Sequence, residues 1–396
     1  MRIAQLANEK TMRVGFTLPA GYWLGGKTYL RNLFASLDVL PGRPLTPILF
    51  AGEGQTEARV DFSGIEFVTT PMFDRKTPAW LMRKVLAKGA RKDLLLIRDL
   101  QRRNITVLSH SISLGNQSAI KTIGWIPDFQ HIHLPEFFTA EERARRDREY
   151  REVCASYDKV IVSSECAGAD LKPFSPQHAH KAELLRFVAN PMPLADCTSL
   201  AELQRIYSFK GPYFILPNQF WAHKNHRVVL TALQILKKRC RSALVLATGS
   251  TKDYRNPGFF ASLMQYAKEC DVEDCFRVLG QIPFEHLAGL LRDAVALINP
   301  SRFEGWSTSV EEAKSIGKQV ILSDIPVHKE QAPERGLYFS PDDPEVLAQL
   351  METSTSRFDK SAETNFQLRA RELVPSRLKA FAQTYLAIVR RTVGTD

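Results

Sequence analysis

Short apolar runs rich in β-branched residues alternate with helical stretches along almost the whole chain, and this alternation constrains the fold more than any other feature. In the first half the candidate strands are Arg13–Leu18, Leu45–Phe50, Ile65–Thr70, Thr106–His110, Lys121–Ile126, Lys159–Ser163 and Leu184–Val188. In the second half they are Tyr213–Leu216, Ala243–Ala247, Phe276–Leu279, Val295–Asn299, Gln319–Leu322 and Leu337–Phe339. Because strands separated by helical segments form βαβ units, the sequence predicts an α/β protein with parallel sheets.

The chain has 396 residues, more than one hydrophobic core usually holds, so two domains are expected. The alternation breaks at residues 189–211, where prolines accumulate and large aliphatic residues are few. We therefore predict Rossmann-like domains over residues 1–195 and 196–374, and a last helix over residues 375–396 that packs across both. Ligands of such sheets bind at the carboxyl ends of the strands, which predicts a site in a cleft between the two domains.

The composition of the chain indicates what kind of protein it is and what charge its partner carries. With 44% hydrophobic and 24% charged residues, the chain has the make-up of a soluble globular protein. No apolar run approaches the roughly 20 residues that span a bilayer, and the N-terminus lacks a secretory signal, so a cytoplasmic location is expected. The net charge of +10 favours an anionic partner, and nucleic acid, anionic lipid and phosphorylated metabolites all fit this charge.

Glycines and a lysine stand where an anion could bind. Gly25 and Gly26 follow the first strand and precede an amphipathic helix, and free amides at a helix start favour anions. Lys224 lies at the mouth of the helix that begins near Asn225, although lysines usually prefer the other end of the helix dipole. An ordinary strand–helix turn and a solvated lysine explain the same residues, so position alone leaves both interpretations open.

Two glutamates follow the strand that ends at Pro300. Glu304 lies in the loop, beside a glycine, where a charged group is positioned for a ligand. Glu312 lies in a helix predicted over Ser309–Ile316, and the Ser309–Glu312 spacing is that of a capping box, which gives Glu312 a structural explanation.

The segment that contains both glutamates, NPSRFEGWSTSVEEAKSIGKQVILSDIPVHKEQ, resembles the E-x7-E signature of family 4 glycosyltransferases (glycosyl transferases group 1) with the GT-B fold. FWAHKN resembles the phosphate-binding lysine segment of that family, and the Gly25–Gly26 pair resembles its glycine-rich loop. The resemblance covers nearly the whole chain, with the stronger motifs in the second half. It implies two Rossmann-like domains and a retaining hexosyltransferase of mannose or glucose type that uses a nucleoside-diphosphate sugar.

The resemblance also implies roles for individual residues. Glu312 would bind the ribose hydroxyls of the donor, and Glu304, as a catalytic residue, would reach the hydroxyls of the donor sugar. The diphosphate would lie against Lys224 and the amides of Trp306–Ser309 at the helix start. Gly305, Trp306, Ser307 and Thr308 are accordingly expected to bind the donor.

No cofactor and no metal is expected. The sequence has no convincing Asp-x-Asp at the end of an apolar strand, and enzymes that use Mg²⁺ need carboxylates to hold it. Charge on the departing diphosphate would instead be stabilised by Lys224 and the amides.

The sequence departs from the family pattern at two places. Many relatives have a histidine before an aspartate after a first-domain strand, but here Pro127 precedes Asp128, and two histidines follow. Asp128 and His131 are the preferred candidates for the catalytic contact, and His133 is an alternative.

The second departure is in the donor-binding half. Asn218 stands where relatives often carry an arginine, which leaves Lys224 with more of the diphosphate charge. Gly249 and Gln281, each after a strand of the second half, could read the nucleoside base through backbone groups, although ordinary turns explain them nearly as well.

The segment 78–104 combines apolar residues with many arginines and lysines. An amphipathic basic helix can lie on an anionic membrane, which suits a lipid-linked or polysaccharide acceptor, and a helix packed on the sheet fits equally well. Two further functions remain open: a nucleotide-sugar epimerase of the same fold, and an inactive nucleotide-sugar-binding protein. Nucleic acid is not an expected partner, because the basic residues form no recognisable reading motif.

Overall fold

In a computed structural model, the structure describes residues 11–18, 24–115, 118–190, 192, 194 and 196–395. These residues fall into two compact units. The first unit contains the chain through Phe129, then Ala144–Val188, and the chain from Pro375 onward. The second unit contains Gln130–Arg143 and Ala189–Val374.

The first unit is built on a parallel sheet, which has seven strands within the described residues, in the order β3-β2-β1-β4-β5-β6-β7. The strands are β1 (Met12–Thr17), β2 (Leu45–Ala51), β3 (Glu66–Thr69), β4 (Ile105–Ser109), β5 (Lys121–Ile126), β6 (Lys159–Val162) and β7 (Ala182–Leu184). The central strands are buried nearly throughout, as expected for a parallel sheet covered on both faces by helices.

The second unit repeats this design with a parallel sheet that has six strands in the described part of the chain, in the order β10-β9-β8-β11-β12-β13. The strands are β8 (Phe214–Pro217), β9 (Val245–Thr248), β10 (Phe276–Gly280), β11 (Leu297–Asn299), β12 (Val320–Ser323) and β13 (Gly336–Phe339). The strand order reverses between β8 and β11, so the loops that follow these two strands are neighbours at one edge of the sheet.

Helices connect the strands. They are α1 (Leu24–Leu37), α2 (Pro78–Ala90), α3 (Leu94–Arg102), α4 (Gln130–His133), α5 (Ala140–Ser156), α6 (Glu165–Phe174), α7 (Leu200–Ile206), α8 (His226–Lys238), α9 (Phe259–Glu269), α10 (Phe284–Asp293), α11 (Thr308–Ser315), α12 (Pro326–Gln331), α13 (Pro344–Ser356) and α14 (Lys360–Val393). Gly317, two residues after the end of α11, has φ +63°, and a Cβ there would lie 2.4 Å from the Phe366 carbonyl oxygen, so the chain leaves the helix at a position that requires glycine.

Every predicted strand is present, with ends shifted by a few residues, so the prediction of an α/β protein with two parallel, Rossmann-like sheets is confirmed. Two helix predictions need correction. The last helix begins at Lys360, and Pro375 lies inside it; its residues through Val374 belong to the second unit and those from Pro375 to the first.

The other correction concerns residues 78–104, which form two helices. Arg91, in the left-handed region at φ +53°, ends α2, and the Asp93 side chain caps α3 by accepting from the Leu96 amide at 3.3 Å. Leu96, Ile97 and Leu100 of α3 are buried in the core, although Leu94 at its start is exposed, whereas α2 exposes several large apolar residues along its length.

Candidate functional site

The loops after β8 and β11 bring together a lysine and a glutamate that are both largely shielded from solvent. Lys224 ends a single helical turn, Ala222–Lys224, just before α8, and Glu304 lies in the loop between β11 and α11. The Lys224 Nζ lies 2.6 Å from the Glu304 Oε1, with 14% and 10% of the two side chains exposed. The interpretation of Lys224 as a solvated surface lysine is therefore wrong.

The local charges keep Glu304 ionised. Burial alone would raise the pKa of this carboxyl, but the Lys224 ammonium and hydrogen bonds from Lys224 and Ser301 outweigh burial and lower the pKa below its ordinary value. The carboxylate can therefore accept hydrogen bonds at neutral pH, and the ammonium beside it is a cation that an anionic ligand could reach by displacing one ion pair.

A network of short polar side chains fixes the two loops against each other. The Asn218 Nδ2 donates to Asn299 Oδ1 at 3.0 Å, and the Asn299 Nδ2 donates to Ser307 Oγ at 2.9 Å. Ser301 Oγ donates to Glu304 Oε1 at 2.7 Å. Asn218, which the sequence placed among the donor-binding residues, thus joins β8 to β11 from a buried position.

The N-terminus of α11 lies at the same edge of the sheet. The helix begins at Thr308, with Ser307 as its N-cap and no side-chain capping bond, so the predicted capping box between Ser309 and Glu312 is wrong. The first intrahelical hydrogen bond of α11 runs from the Glu311 amide to the Ser307 carbonyl at 3.2 Å. The amides of Thr308, Ser309 and the next residue therefore have no acceptor within the helix.

Gln331 is a residue that the sequence analysis did not single out. Its side chain bonds both backbone groups of Ser307, accepting from the amide at 3.1 Å and donating to the carbonyl at 3.1 Å, and its Nε2 also donates to Glu311 Oε1 at 3.1 Å. The Ser307 amide, one of the predicted diphosphate donors, is therefore engaged within the protein. Gln331 ends the segment SDIPVHKEQ, which belongs to the stretch that carried the family resemblance, and this was the available signal.

The remaining backbone candidates of the second unit lie at strand ends. Gly249 has φ +136°, and a Cβ there would approach the Asn218 carbonyl oxygen to 2.5 Å, so the close packing of the β8 and β9 loops requires glycine. Gln281 is exposed directly after β10. Gly305 and Trp306, in the loop with Glu304, are half-buried, as is Glu312 on α11.

In the first unit, Gly25 and Gly26 lie inside the first turn of α1, because the helix begins at Leu24. The prediction that they precede the helix is wrong by two residues. Gly25 is exposed and Gly26 is buried.

The histidines after β5 differ in their surroundings. His131, on α4, is only 3% exposed and packs against Phe138 with ring centroids 6.4 Å apart. His133 is exposed, and its ring centroid lies 5.3 Å from that of Phe303, the residue before Glu304. Within the second unit, His133 therefore contacts the loop that carries Glu304. Asp128 belongs to the first unit, where it lies near Tyr150 and raises the pKa of that buried phenol further than burial alone.

The first unit has a large cavity at the carboxyl ends of its strands, with a volume of about 960 Å³. Its lining combines apolar and aromatic side chains such as Phe50, Trp80 and Trp125 with basic ones. The lining has more basic side chains than carboxylates. The four basic ones are Arg75, Arg83, Lys84 and Arg145, and the two carboxylates are Asp74 and Glu149.

Two polar atoms of this lining are buried without a hydrogen-bond partner, the Arg83 Nη2 and the Ser111 Oγ. The Arg83 Nε donates to Asp93 Oδ2 at 2.7 Å, which compensates the buried charge and leaves the second nitrogen available. His110, whose pKa burial lowers to about 3, is held by Tyr29 Oη at 2.9 Å and Ser109 Oγ at 2.8 Å. The cavity can therefore accept an amphipathic ligand that carries a negative group.

Helix α2 lines this cavity with Trp80, Arg83 and Lys84. The other face of the helix exposes a stripe of large apolar side chains; they are Leu81, Met82, Val85 and Leu86. Within the ranges that the structure covers, no helix is both long and apolar enough to cross a bilayer. Over the same residues, no cluster of three or more His, Cys, Asp or Glu side chains is arranged to hold a metal ion.

Comparisons with known proteins agree with this architecture. Residues 204–362 match the family model described as glycosyl transferases group 1, which confirms the resemblance found in the sequence. The O-antigen chain mannosyltransferase RfbU of Salmonella typhimurium is 31% identical over 134 residues, which are 34% of this chain and 36% of that protein. The O-antigen chain mannosyltransferase B of Escherichia coli is 27% identical over 191 residues, 48% of this chain and 44% of that protein. The alignments thus span less than half the length of these relatives.

Among solved structures, Anabaena Alr3699/HepE in complex with UDP and glucose superposes with a TM-score of 0.68 at 14% identity, covering 96% of this chain and 100% of that chain. At this identity the likeness concerns the fold, and the predicted GT-B fold is confirmed.

Proposed function

Because the second unit carries a domain of the glycosyl transferases group 1 family, we propose that the chain is a hexosyltransferase that uses a nucleoside-diphosphate sugar. The sugar is of mannose or glucose type, and the acceptor is a polysaccharide or a lipid-linked glycan. The names of the relatives, mannosyltransferases of the O-antigen chain, and the UDP and glucose bound to a protein of the same fold support this choice.

The observation that carries the proposal is the largely shielded ion pair of Lys224 and Glu304 at the point where the strand order reverses. A diphosphate bound here replaces Glu304 as the partner of the Lys224 ammonium and meets the amides at the start of α11. Glu304, released from the ion pair but still ionised, accepts from hydroxyls of the donor sugar. Glu312, one helical turn into α11, takes the ribose hydroxyls.

Catalysis then depends on the charge that develops on the departing nucleoside diphosphate. Lys224 and the free amides of α11 are fixed in place before the reaction, so they stabilise this charge without reorganisation. We propose that these groups stabilise the departing diphosphate without a metal. The transfer retains the anomeric configuration, and the anomeric proton signal of the product in NMR tests this directly.

The acceptor is proposed to bind the first unit. Its cavity offers apolar walls and an excess of basic side chains, which suits a lipid carrier linked through phosphate. The exposed apolar stripe of α2, next to Lys84 and Lys88, then lies on an anionic membrane surface that presents such a lipid. The chain is accordingly proposed to act at the cytoplasmic face of a membrane.

Binding of the donor is tested by a thermal-shift panel of nucleoside diphosphates and their sugars. A ligand at about 100 times its dissociation constant adds roughly 2.7 kcal/mol to the free energy of unfolding. We expect one nucleotide sugar to stabilise the protein and to be slowly hydrolysed by it. Glu304→Ala should abolish this hydrolysis. Glu273→Ala, on an exposed turn, should leave both the stabilisation and the hydrolysis unchanged. Binding without any turnover would favour the inactive binder, and conversion of the donor sugar to its epimer would favour the epimerase.

Membrane binding is tested by sedimentation with vesicles rich in anionic lipid at low salt. Val85 is 69% exposed on α2, and Val60, elsewhere in the first unit, is 84% exposed. We expect Val85→Ser to reduce the sedimented fraction and Val60→Ser to leave it unchanged. If the unaltered protein fails to sediment, or if both variants behave alike, the membrane proposal is wrong.

A further inference from the structure

The second unit contains a smaller cavity that the donor site does not use. Its volume is about 220 Å³, and it lies between the loops that follow β8 and β9 and the segment that leads into α5. The lining residues are Glu136, Phe137, Phe138, Thr139, Glu142, Ala222, His223, Asp253, Arg255 and Asn256. The volume is below the roughly 300–1,000 Å³ of sites for drug-sized ligands, so the cavity suits a group of about one ring.

Two buried polar atoms in this lining have no hydrogen-bond partner. His223 is 4% exposed, and its Nδ1 makes no hydrogen bond. The Arg255 Nε also makes none, and the nearest carboxylate oxygen, Asp253 Oδ1, lies 3.6 Å away. Buried polar atoms are normally paired, so both point to a ligand that completes them.

The aromatic surroundings hold Arg255 in place. Its guanidinium lies 4.9 Å from the ring centroids of both Phe138 and Trp221, and its Nη1 donates to Gln130 Oε1 at 3.3 Å. Phe137, half-buried, adds a further ring to the lining. Rings of this kind pack against the apolar C–H faces of a pyranose.

The charges of the lining decide the class of ligand. Three carboxylates, those of Glu136, Glu142 and Asp253, stand against the single guanidinium of Arg255. Burial, followed by the positive charges of Lys224 and Arg255, lowers the pKa of His223 well below its ordinary value, so this ring adds no positive charge at neutral pH. A phosphate would be repelled, and within the described residues no metal-binding cluster is present. A neutral ligand with hydroxyl groups can donate to the carboxylates and the imidazole and accept from Arg255 and Asn256.

We propose that this cavity is a subsite for one neutral pyranose ring of the glycan on which the enzyme acts, separate from the Lys224–Glu304 donor site. The inference rests on the proposed function, because it takes the ligand to be a carbohydrate. The subsite gives the second unit a contact to the glycan that depends on hydroxyl geometry and not on charge.

The test uses the full chain and ligand-observed NMR saturation transfer with the methyl pyranosides of mannose, glucose, galactose and N-acetylglucosamine. A nucleoside diphosphate that stabilises the protein is added to saturation, so that the donor site is filled. We expect one pyranoside to bind under these conditions. Glu136→Gln and Asn256→Ala, both at exposed positions, should each weaken this binding by roughly tenfold, and Glu273→Gln, on an exposed turn outside the cavity, should not.

Several results would overturn the subsite. The pyranoside could be displaced by the nucleoside diphosphate, or inorganic phosphate could compete with it. Glu136→Gln could bind the pyranoside as well as the unaltered protein does. Finally, none of the four pyranosides could bind. Failure of the proposed function gives a different pattern, because then no nucleotide sugar stabilises the protein in the thermal-shift panel. If nucleotide sugars bind and no pyranoside does, the subsite alone is wrong.

Discussion

The carboxyl ends of the two sheets are built in different ways, although both sheets are parallel and both reverse their strand order at one point. In the second unit, the loops after β8 and β11 are tied by Asn218, Asn299, Ser301 and Glu304, and the cation at their centre, Lys224, is already paired. In the first unit, the same edge of the sheet opens into a cavity of about 960 Å³ whose basic side chains are mostly at exposed positions.

The difference indicates two kinds of recognition. A closed polar network holds a few groups in fixed positions, which suits a ligand part that never changes, such as a diphosphate. A wide cavity with separate charges tolerates ligands of varied shape. The family model matches residues 204–362, which lie within the second unit, where the donor is proposed to bind.

The largest expected effect is the loss of Lys224. In the variant Lys224→Met, the departing diphosphate loses its fixed cation, and kcat/KM should fall by about 10²–10³-fold, as for removal of one preorganised donor to developing negative charge. The measurement is the initial rate of nucleoside diphosphate release. Lys252→Met, at an exposed lysine in the loop after β9, is the matched control and should keep full activity.

Stability and catalysis have to be separated in this experiment. Removing Lys224 leaves a buried carboxylate unpaired, which destabilises a protein by about 3–5 kcal/mol. The double variant Lys224→Met/Glu304→Gln removes both charges and should unfold at a higher denaturant concentration than Lys224→Met while remaining inactive. If the double variant regains activity, the lysine does not stabilise the leaving group.

The fold could be predicted from the sequence because its signal is spread over many residues. Every apolar run predicted as a strand overlaps an observed strand, and errors of up to four residues at strand ends do not alter the sheet. Helix limits were harder to predict. The sequence predicts a last helix that begins at residue 375, but Pro375 lies inside α14, because the flanking residues continue the helix on both sides. In the 78–104 segment, Arg91 adopts a left-handed conformation that no local pattern announces.

The sequence singles out the charged residues that the structure brings together at the candidate site, but not the side chains that hold them in place. Lys224 and Glu304 stand in recognisable motifs and lie together. Gln331 follows Ser307 by 24 residues, and its contact with the Ser307 backbone depends on how α12 packs against the loop, which no sequence spacing encodes. His131 and His133 could not be told apart from the sequence for a similar reason. They are only two residues apart, but one side of α4 faces the interior, so His131 is buried and His133 is exposed.

Acid should affect the second unit more steeply than the first. The second unit contains three buried histidines whose pKa burial lowers, His223, His226 and His328, and for His226 the value is about 3. Among the described residues of the first unit, His110 is the deeply buried histidine, and burial lowers its pKa to about 3 as well. A ring whose pKa is lowered on folding takes up its proton more readily in the unfolded chain. Stability is therefore lost as pH falls below about 6.5, by up to about 1.4 kcal/mol per pH unit for each ring that stays neutral when folded.

Hydrogen exchange at pH 7 and pH 5, read on peptides from each unit, measures this difference. We expect the core strands of the second unit to lose more protection than those of the first. The pH range stays above the region in which carboxylates with lowered pKa, such as Glu363, begin to take up protons. His226→Gln should reduce the pH dependence of the second unit alone. An equal loss in both units would mean that these histidines are already charged in the folded protein.

The smallest effects are expected from the basic residues around the first cavity. Lys84 is exposed and lines the cavity, while Lys88, one helical turn on, is exposed on the same helix outside it. Farnesyl diphosphate, an apolar chain with a diphosphate, serves as the probe, and Lys84→Ala should weaken its binding by only about two- to fivefold, because exposed ion pairs contribute roughly 0.2–1 kcal/mol each. Lys88→Ala should leave the affinity unchanged. A loss of 100-fold at Lys84 would mean that the first unit also grips its ligand through one fixed cation, and the contrast between an open acceptor cavity and a closed donor site would then fail.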